Sequence, residues 1–149
     1  LSTSPRSSRS VSAICWFGDW TVAVYSSVCS DLTYTVKEIK SFQMLRALMR
    51  RAINDGSAAL LGRVASSSAR INNSHLKKKY FDELERLVEV VGAVGLQVAH
   101  SGTIAGIIFN PATAELGERL FETNARVAQL YGTETWCFEV GSRRRELGK

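Results

Sequence analysis

Between Val94 and Phe109 the chain sets two apolar runs on either side of a short polar centre, and few folds accommodate that pattern. Val94–Ala99 and Ile104–Phe109 are each short and rich in β-branched or other apolar residues, which suits buried strands. The centre, His100-Ser101-Gly102-Thr103, is small and carries a glycine, so the backbone there can turn tightly or approach a ligand closely. Ser101 and Thr103 each offer a hydroxyl and a backbone N–H. A strand–glycine turn–strand unit can aim several such N–H groups at an anion. Spacing alone favours the plainer alternative, a β-hairpin with a polar tip, because one glycine turn is a weak signal. His100 changes charge near neutral pH and could contact a substrate or a phosphoryl group, although a histidine beside a glycine turn is more often a satisfied structural residue. Contact through the Ser101-Gly102-Thr103 backbone is the stronger candidate.

The flanking segments predict what surrounds this unit. Val11–Val28 reads as two strands broken by a turn at Gly18-Asp19, and Ser30-Asp31 begins a loop. Lys37–Ile53 reads as a helix, with Ile39, Phe42, Leu45, Met49 and Ala52 on one stripe and Arg46, Arg50 and Arg51 mostly off it. Gly56 supplies a left-handed stop, and Ser57 starts a second helix through Ala58, Leu61, Val64 and Ala65 that ends before Asn72-Asn73. A third helix is expected from His75 to about Val91, with Leu76, Tyr80, Leu84, Leu87, Val88 and Val91 inward and Gly92 closing it. Asn110-Pro111 signals the start of a fourth, running through Leu116, Leu120, Val127 and Leu130 to Tyr131 and stopped by Gly132. Thr133–Val140 alternates, with Trp136, Phe138 and Val140 on one face, as a half-buried strand does. Strands, helices, a hairpin, a helix and a last strand suit an α+β layering, helices on one face of an antiparallel sheet.

Two further positions carry candidate chemistry. Ser68 and Asn72 stand four apart and share one face of the second helix's last turn, where both could bond a small polar substrate. Solvated hydroxyls at a helix end are the plainer alternative. Lys77-Lys78-Lys79 opposes the dipole at the start of the third helix, where a nearby phosphate would benefit from the charge. A solvated face explains the run as well, and His75 reads as a surface residue.

Composition narrows the class. The 149 residues call for one domain, and 45% hydrophobic with 22% charged residues is enough for a sizeable core. Residues 1–10 read as a disordered basic tail, 11–140 as the domain, and 141–149 as a loose basic tail. The net charge of +5 suits a domain that handles phosphates. Nucleic acid is not an expected partner, since only Tyr80 accompanies the basic clusters Arg50-Arg51, Lys77-Lys78-Lys79 and Arg143-Arg144-Arg145. Three cysteines with no C-x-x-C pair give no disulfide framework and fit a reducing cytoplasm. Two histidines are too few for a zinc site, and no apolar run reaches membrane-spanning length.

Gln97-Val98-Ala99-His100-Ser101-Gly102-Thr103 with Gly106 resembles the third motif of the GHMP small-molecule kinases. It is most similar to the Ala-His-Ser-Gly-Thr form of the L-threonine kinases of propanediol utilisation and cobalamin biosynthesis. Ser68-Ala69-x-x-Asn72 resembles a pattern that the family carries before its next helix. The likeness runs from roughly Leu45 to Val140, and implies the ferredoxin-like C-terminal domain of those kinases. It implies a substrate- or phosphate-binding set of His100, Ser101, Gly102, Thr103, Ser68 and Asn72, and ATP-dependent phosphorylation of a hydroxyl on a small molecule, L-threonine foremost. In such kinases ATP and Mg2+ are held mainly by an N-terminal domain, whose Gly- and Ser-rich loop has no counterpart here. The chain alone is therefore expected to be inactive, with that domain or a second copy as partner. The competing expectation is a non-catalytic ligand-binding or assembly module of the same fold.

Overall fold

Among the described residues of a computed structural model, the order is β1 (Ser10–Gly18), α1 (Val36–Asp55), α2 (Ala58–His75), α3 (Phe81–Val90), β2 (Gly95–Val98), β3 (Ile104–Phe109), α4 (Leu116–Tyr131) and β4 (Thr135–Gly141). The structure describes residues 10–18, 34–99, 104–132 and 135–141, with backbone only for 10–18, 136 and 138–141. The expected strand at 19–28, the loop at 30–31, the tails at 1–9 and 142–149 and the hairpin tip at 100–103 lie outside the described residues.

The four strands form one antiparallel sheet in the order β2-β3-β1-β4. β1 lies inside it, with Ala13 opposite Phe109 on one side and Glu139 on the other. The crossover from β1 to β2 leaves room for β3 between them, which is the split arrangement of the ferredoxin-like fold. The fold class expected from the sequence is the one found.

All six residues of β3 are buried, as its unbroken apolar run predicts. Ala105, Ile107 and Phe109 meet Leu96 of β2, Phe81, Leu84 and Leu87 of α3, Val91, and Val127 of α4 in the main core. Ile108, on the alternate face, packs with Ala65 of α2 and Val94. Full burial of a leucine or isoleucine contributes about 1.5–3 kcal/mol each, so this strand anchors the domain.

Local chemistry sets most of the helix ends. Thr35 caps α1 reciprocally: its hydroxyl accepts the Glu38 N–H at 3.2 Å, and Glu38 Oε2 accepts the Thr35 N–H at 2.7 Å. Ser57 caps α2 through the Leu60 N–H at 3.2 Å. The stops expected at Gly56, Gly92 and Gly132 are all present, each with positive φ.

Three boundaries differ from expectation. Asn72-Asn73 does not end α2, which continues to His75, because Asn72 finds its partners in distant residues and Asn73 Oδ1 accepts the Lys78 N–H beyond the helix at 2.7 Å. The third helix begins at Phe81, not His75. The chain turns through a left-handed Tyr80 whose ring packs edge-on against Tyr131, and the Tyr131 hydroxyl donates to the Lys79 carbonyl. Lys77-Lys78-Lys79 therefore lies in a connection, outside any helix. Asn110-Pro111 opens a turn: Asn110 Oδ1 accepts the Ala112 N–H and its carbonyl accepts the Thr113 N–H, both at 2.9 Å. α4 waits until Leu116, after a left-handed Glu115.

On α1 the expected stripe is only partly inward. Ala52 is buried and Phe42 and Leu45 are half-buried, whereas Ile39 and Met49 are exposed. On β4, Thr135 is half-buried and Cys137 exposed. The side chains of Trp136, Phe138 and Val140 lie outside the described residues.

Candidate functional site

β2 and β3 pair from Gly95↔Ile108 to Val98↔Ala105, and the Ala99 N–H donates to the Ile104 carbonyl at 2.8 Å. This is the last bond between the two strands among the described residues. The four candidate residues His100, Ser101, Gly102 and Thr103, which join the two strands, lie outside the described residues.

α2 runs along the outer edge of β2. An edge strand carries unpaired N–H and carbonyl groups, and the helix satisfies them with side chains. Ser66 Oγ accepts the Leu96 N–H at 2.9 Å, and Asn72 Nδ2 donates to the Ala99 carbonyl at 3.2 Å. Glycines allow the approach. A Cβ on Gly62 would lie 2.1 Å from the Val94 carbonyl oxygen, and one on Gly95 would lie 2.2 Å from the Gly62 carbonyl oxygen. Helix and strand therefore meet backbone to backbone, and only residues without a side chain fit both places.

Asn72 is 5% exposed and hydrogen-bonds at both ends of its amide. Besides its bond to Ala99, its Oδ1 accepts the Tyr34 hydroxyl at 3.3 Å. It anchors the hairpin base through its amide. Ser68, half-buried one turn earlier on the same helix, makes no side-chain hydrogen bond among the described residues, so its hydroxyl is uncommitted. Thus, of the six candidates, Asn72 is fixed against the last residue before the tip and Ser68 stands one turn away from it.

Sequence reasoning missed a second layer. His75 is half-buried rather than on the surface, and its Nε2 lies 2.8 Å from Glu38 Oε1. The Tyr34 ring stands edge-on to the imidazole, with centroids 4.8 Å apart. Glu38 divides its oxygens, Oε1 to His75 and Oε2 to the Thr35 N–H and hydroxyl at 2.7 and 2.9 Å. The Thr35 backbone bond chiefly, then His75 and the Thr35 hydroxyl, hold the Glu38 carboxyl below the ordinary glutamate range. Burial, and secondarily the Glu38 charge, push the Tyr34 phenol up. The signal was present in part, since Thr35-x-x-Glu38 reads as a capping box. Its pairing with His75, 37 positions away, is a tertiary fact.

A cleft of about 290 Å³ lined by Asn73, Lys77, Lys78 and the first residues of α3 lies at the same end of α2. Burial pulls the Lys78 ammonium down to about 8. Among the described residues no group of three or more His, Cys, Asp or Glu side chains could hold a metal ion, and no helix is long and apolar enough to cross a membrane.

No family model matches the chain, and no curated protein matches it. Solved structures do. The chain is similar to homoserine kinase from Cytophaga hutchinsonii, with a TM-score of 0.62 and 9% identity over 90% of this chain and 43% of that one. It is also similar to mevalonate kinase from methicillin-resistant Staphylococcus aureus, with a TM-score of 0.55 and 9% identity over 91% of this chain and 44% of that one. The chain thus spans less than half the length of either kinase. At this identity the likeness establishes the fold: the chain folds as part of these two small-molecule kinases does.

Proposed function

We propose that the chain is the substrate-side part of an ATP-dependent small-molecule kinase of the GHMP type, acting on a hydroxyl group, with L-threonine the foremost acceptor. One observation carries the reading. A hairpin bearing Ala99-His100-Ser101-Gly102-Thr103 is anchored at its base by Asn72, in a fold similar to that of two kinases. Phosphoryl transfer depends on positioning and charge stabilisation more than on covalent chemistry. The Asn72-anchored base of the two strands supports the first need, and the backbone N–H groups of Ser101-Gly102-Thr103 are assigned to the second. Ser68 is assigned to the acceptor. The described residues offer no acidic cluster fit for magnesium. By the resemblance to such kinases, ATP and Mg2+ are assigned to an N-terminal domain. A cytoplasmic setting follows from the same reading.

The test is ATP consumption by the full-length protein against a panel of hydroxy amino acids. Turnover with L-threonine above the other acceptors is expected. Turnover with none of them overturns the kinase reading, and preference for another acceptor overturns only the substrate.

A second reading, a non-catalytic assembly module, is favoured by the exposed apolar side chains of α1, Val36, Ile39, Met44, Met49 and Ile53. A stable complex formed through this helix, in protein with no turnover, would support it.

A further inference from the structure

A cleft between α3 and α4 plays no part in the kinase reading. We propose that it binds an apolar α-amino acid, held as a zwitterion; the proposal stands independently of that reading.

α3 and α4 lie side by side in opposite directions. Tyr80, just before α3, packs on Tyr131 at the end of α4, and Arg119 near the start of α4 donates to the Val91 carbonyl just after α3 at 2.9 Å. Leu84, Leu87 and Val127 belong to the main core. Between the two helices lies a cleft of about 280 Å³, near the lower limit for a small-molecule site. α3 lines it with Glu83, Arg86, Leu87 and Val90, spaced i, i+3, i+4 and i+7, so they share one helix face. α4 contributes Arg126, Gln129 and Leu130, at i, i+3 and i+4.

The charges lining this cleft are balanced. Glu122 Oε1 accepts from Arg126 Nε at 3.0 Å and from Nη2 at 2.8 Å, which neutralises that guanidinium. Glu83 and Arg86 remain, one anion and one cation, both exposed. Neither makes a hydrogen bond or an ion pair among the described residues, even with the other. Side chains three apart on a helix stand about 5–6 Å apart at Cβ. An α-amino acid carries its ammonium and its carboxylate on one carbon and meets both residues at once. The ammonium donates to Glu83, and the carboxylate takes the fork of Arg86. A plain acid or a plain amine would leave one of the two charges unanswered. Gln129, also without a hydrogen bond among the described residues, offers its side-chain amide as a further donor to the carboxylate.

The floor selects the side chain. Leu87 is buried and Leu130 half-buried, yet Val90 is 60% exposed. Apolar surface left open in a cleft favours an apolar group over it. A branched aliphatic amino acid of leucine's size meets the anion, the cation and the floor together.

The test titrates the protein with L-leucine and follows backbone amide shifts by NMR. Saturable shifts at Arg86, Val90 and Gln129 are expected, with a Kd below about 5 mM. N-acetyl-L-leucine lacks the ammonium, L-leucinamide lacks the carboxylate, and glycine lacks the side chain. Each should bind at least about fivefold more weakly than L-leucine. Glu83→Gln and Arg86→Gln should each weaken L-leucine by at least about fivefold, with Tm unchanged because both side chains are exposed. No saturation with L-leucine in that range overturns the proposal. So does a smaller loss with any of the three analogues or with either variant. Shifts centred on Asn72 and Ala99 instead would assign the amino acid to the hairpin end of α2 and overturn it too. The readout is binding alone, so turnover on hydroxy amino acids is judged separately.

Discussion

α1 and α2 are consecutive helices joined by a tight turn, both amphipathic in sequence, yet they are used differently. α2 buries Ala58, Gly62, Val64, Ala65, Ala69 and Asn72, and α1 buries Ala52 alone. The difference lies in residue size. Gly62, Ser66 and Ala69 make a face so shallow that a strand edge can lie against the helix backbone. α1 presents Phe42, Leu45 and Met49 at the same period, and these bulky groups are only half-buried or exposed. Periodicity reports which face can be buried. Side-chain volume decides what can reach it.

The comparison can be broken most severely at its closest point. Gly62→Ala places a methyl 2.1 Å from the Val94 carbonyl oxygen, where only backbone can yield. A loss of about 3 kcal/mol or more is expected in urea denaturation. A loss below about 1 kcal/mol would show that α2 and β2 do not meet there. Asn72→Ala leaves the Ala99 carbonyl and the Tyr34 hydroxyl without their amide partner, at a cost of about 1–3 kcal/mol. Amide exchange should also quicken at Ala99 and Ile104, and unchanged exchange would separate Asn72 from the hairpin.

Acid probes the same end of α2 more gently. Glu38 has a lowered carboxyl pKa in the folded chain, so the stability it adds is present above the unfolded value of about 4.3 and drains away as pH falls through the folded value. Wild type should therefore lose more Tm between neutral pH and about pH 3 than Glu38→Gln does. Equal losses would show that the carboxylate is not held. The smallest effect is expected on the other helix. Met44→Gln, at a residue 61% exposed, should change stability by no more than about 0.5 kcal/mol in thermal melts. A larger change would mean that this face of α1 is covered within the folded chain.

The same contrast explains how far sequence alone reaches. The hairpin strands, the three glycine stops and the α+β layering are local matters of period and backbone freedom, and they appear in the structure as expected. Two of the misplaced boundaries have a tertiary cause. Asn72 and Tyr80 satisfy hydrogen bonds or ring contacts with distant residues that local propensity cannot name, whereas Asn110 bonds Ala112 and Thr113 nearby and so makes a turn in place of a helix start. Local propensity ends the helix before Asn72, because a solvated asparagine competes for nearby backbone. Its amide instead serves Ala99, 27 positions away, so the helix carries on. The candidate site divides in the same manner. Ser68 and Asn72 follow from spacing four apart, whereas the pairing of His75 with Glu38 depends on α1 folding back along α2.

The Ser66 and Asn72 bonds to β2 have a consequence for association between chains. A strand from another molecule could extend the sheet past β2 only by first displacing α2 and freeing Leu96 and Ala99. The helix that steadies the hairpin therefore also guards this rim against runaway polymerisation, and a variant with a loosened α2 would be expected to aggregate before it lost its core.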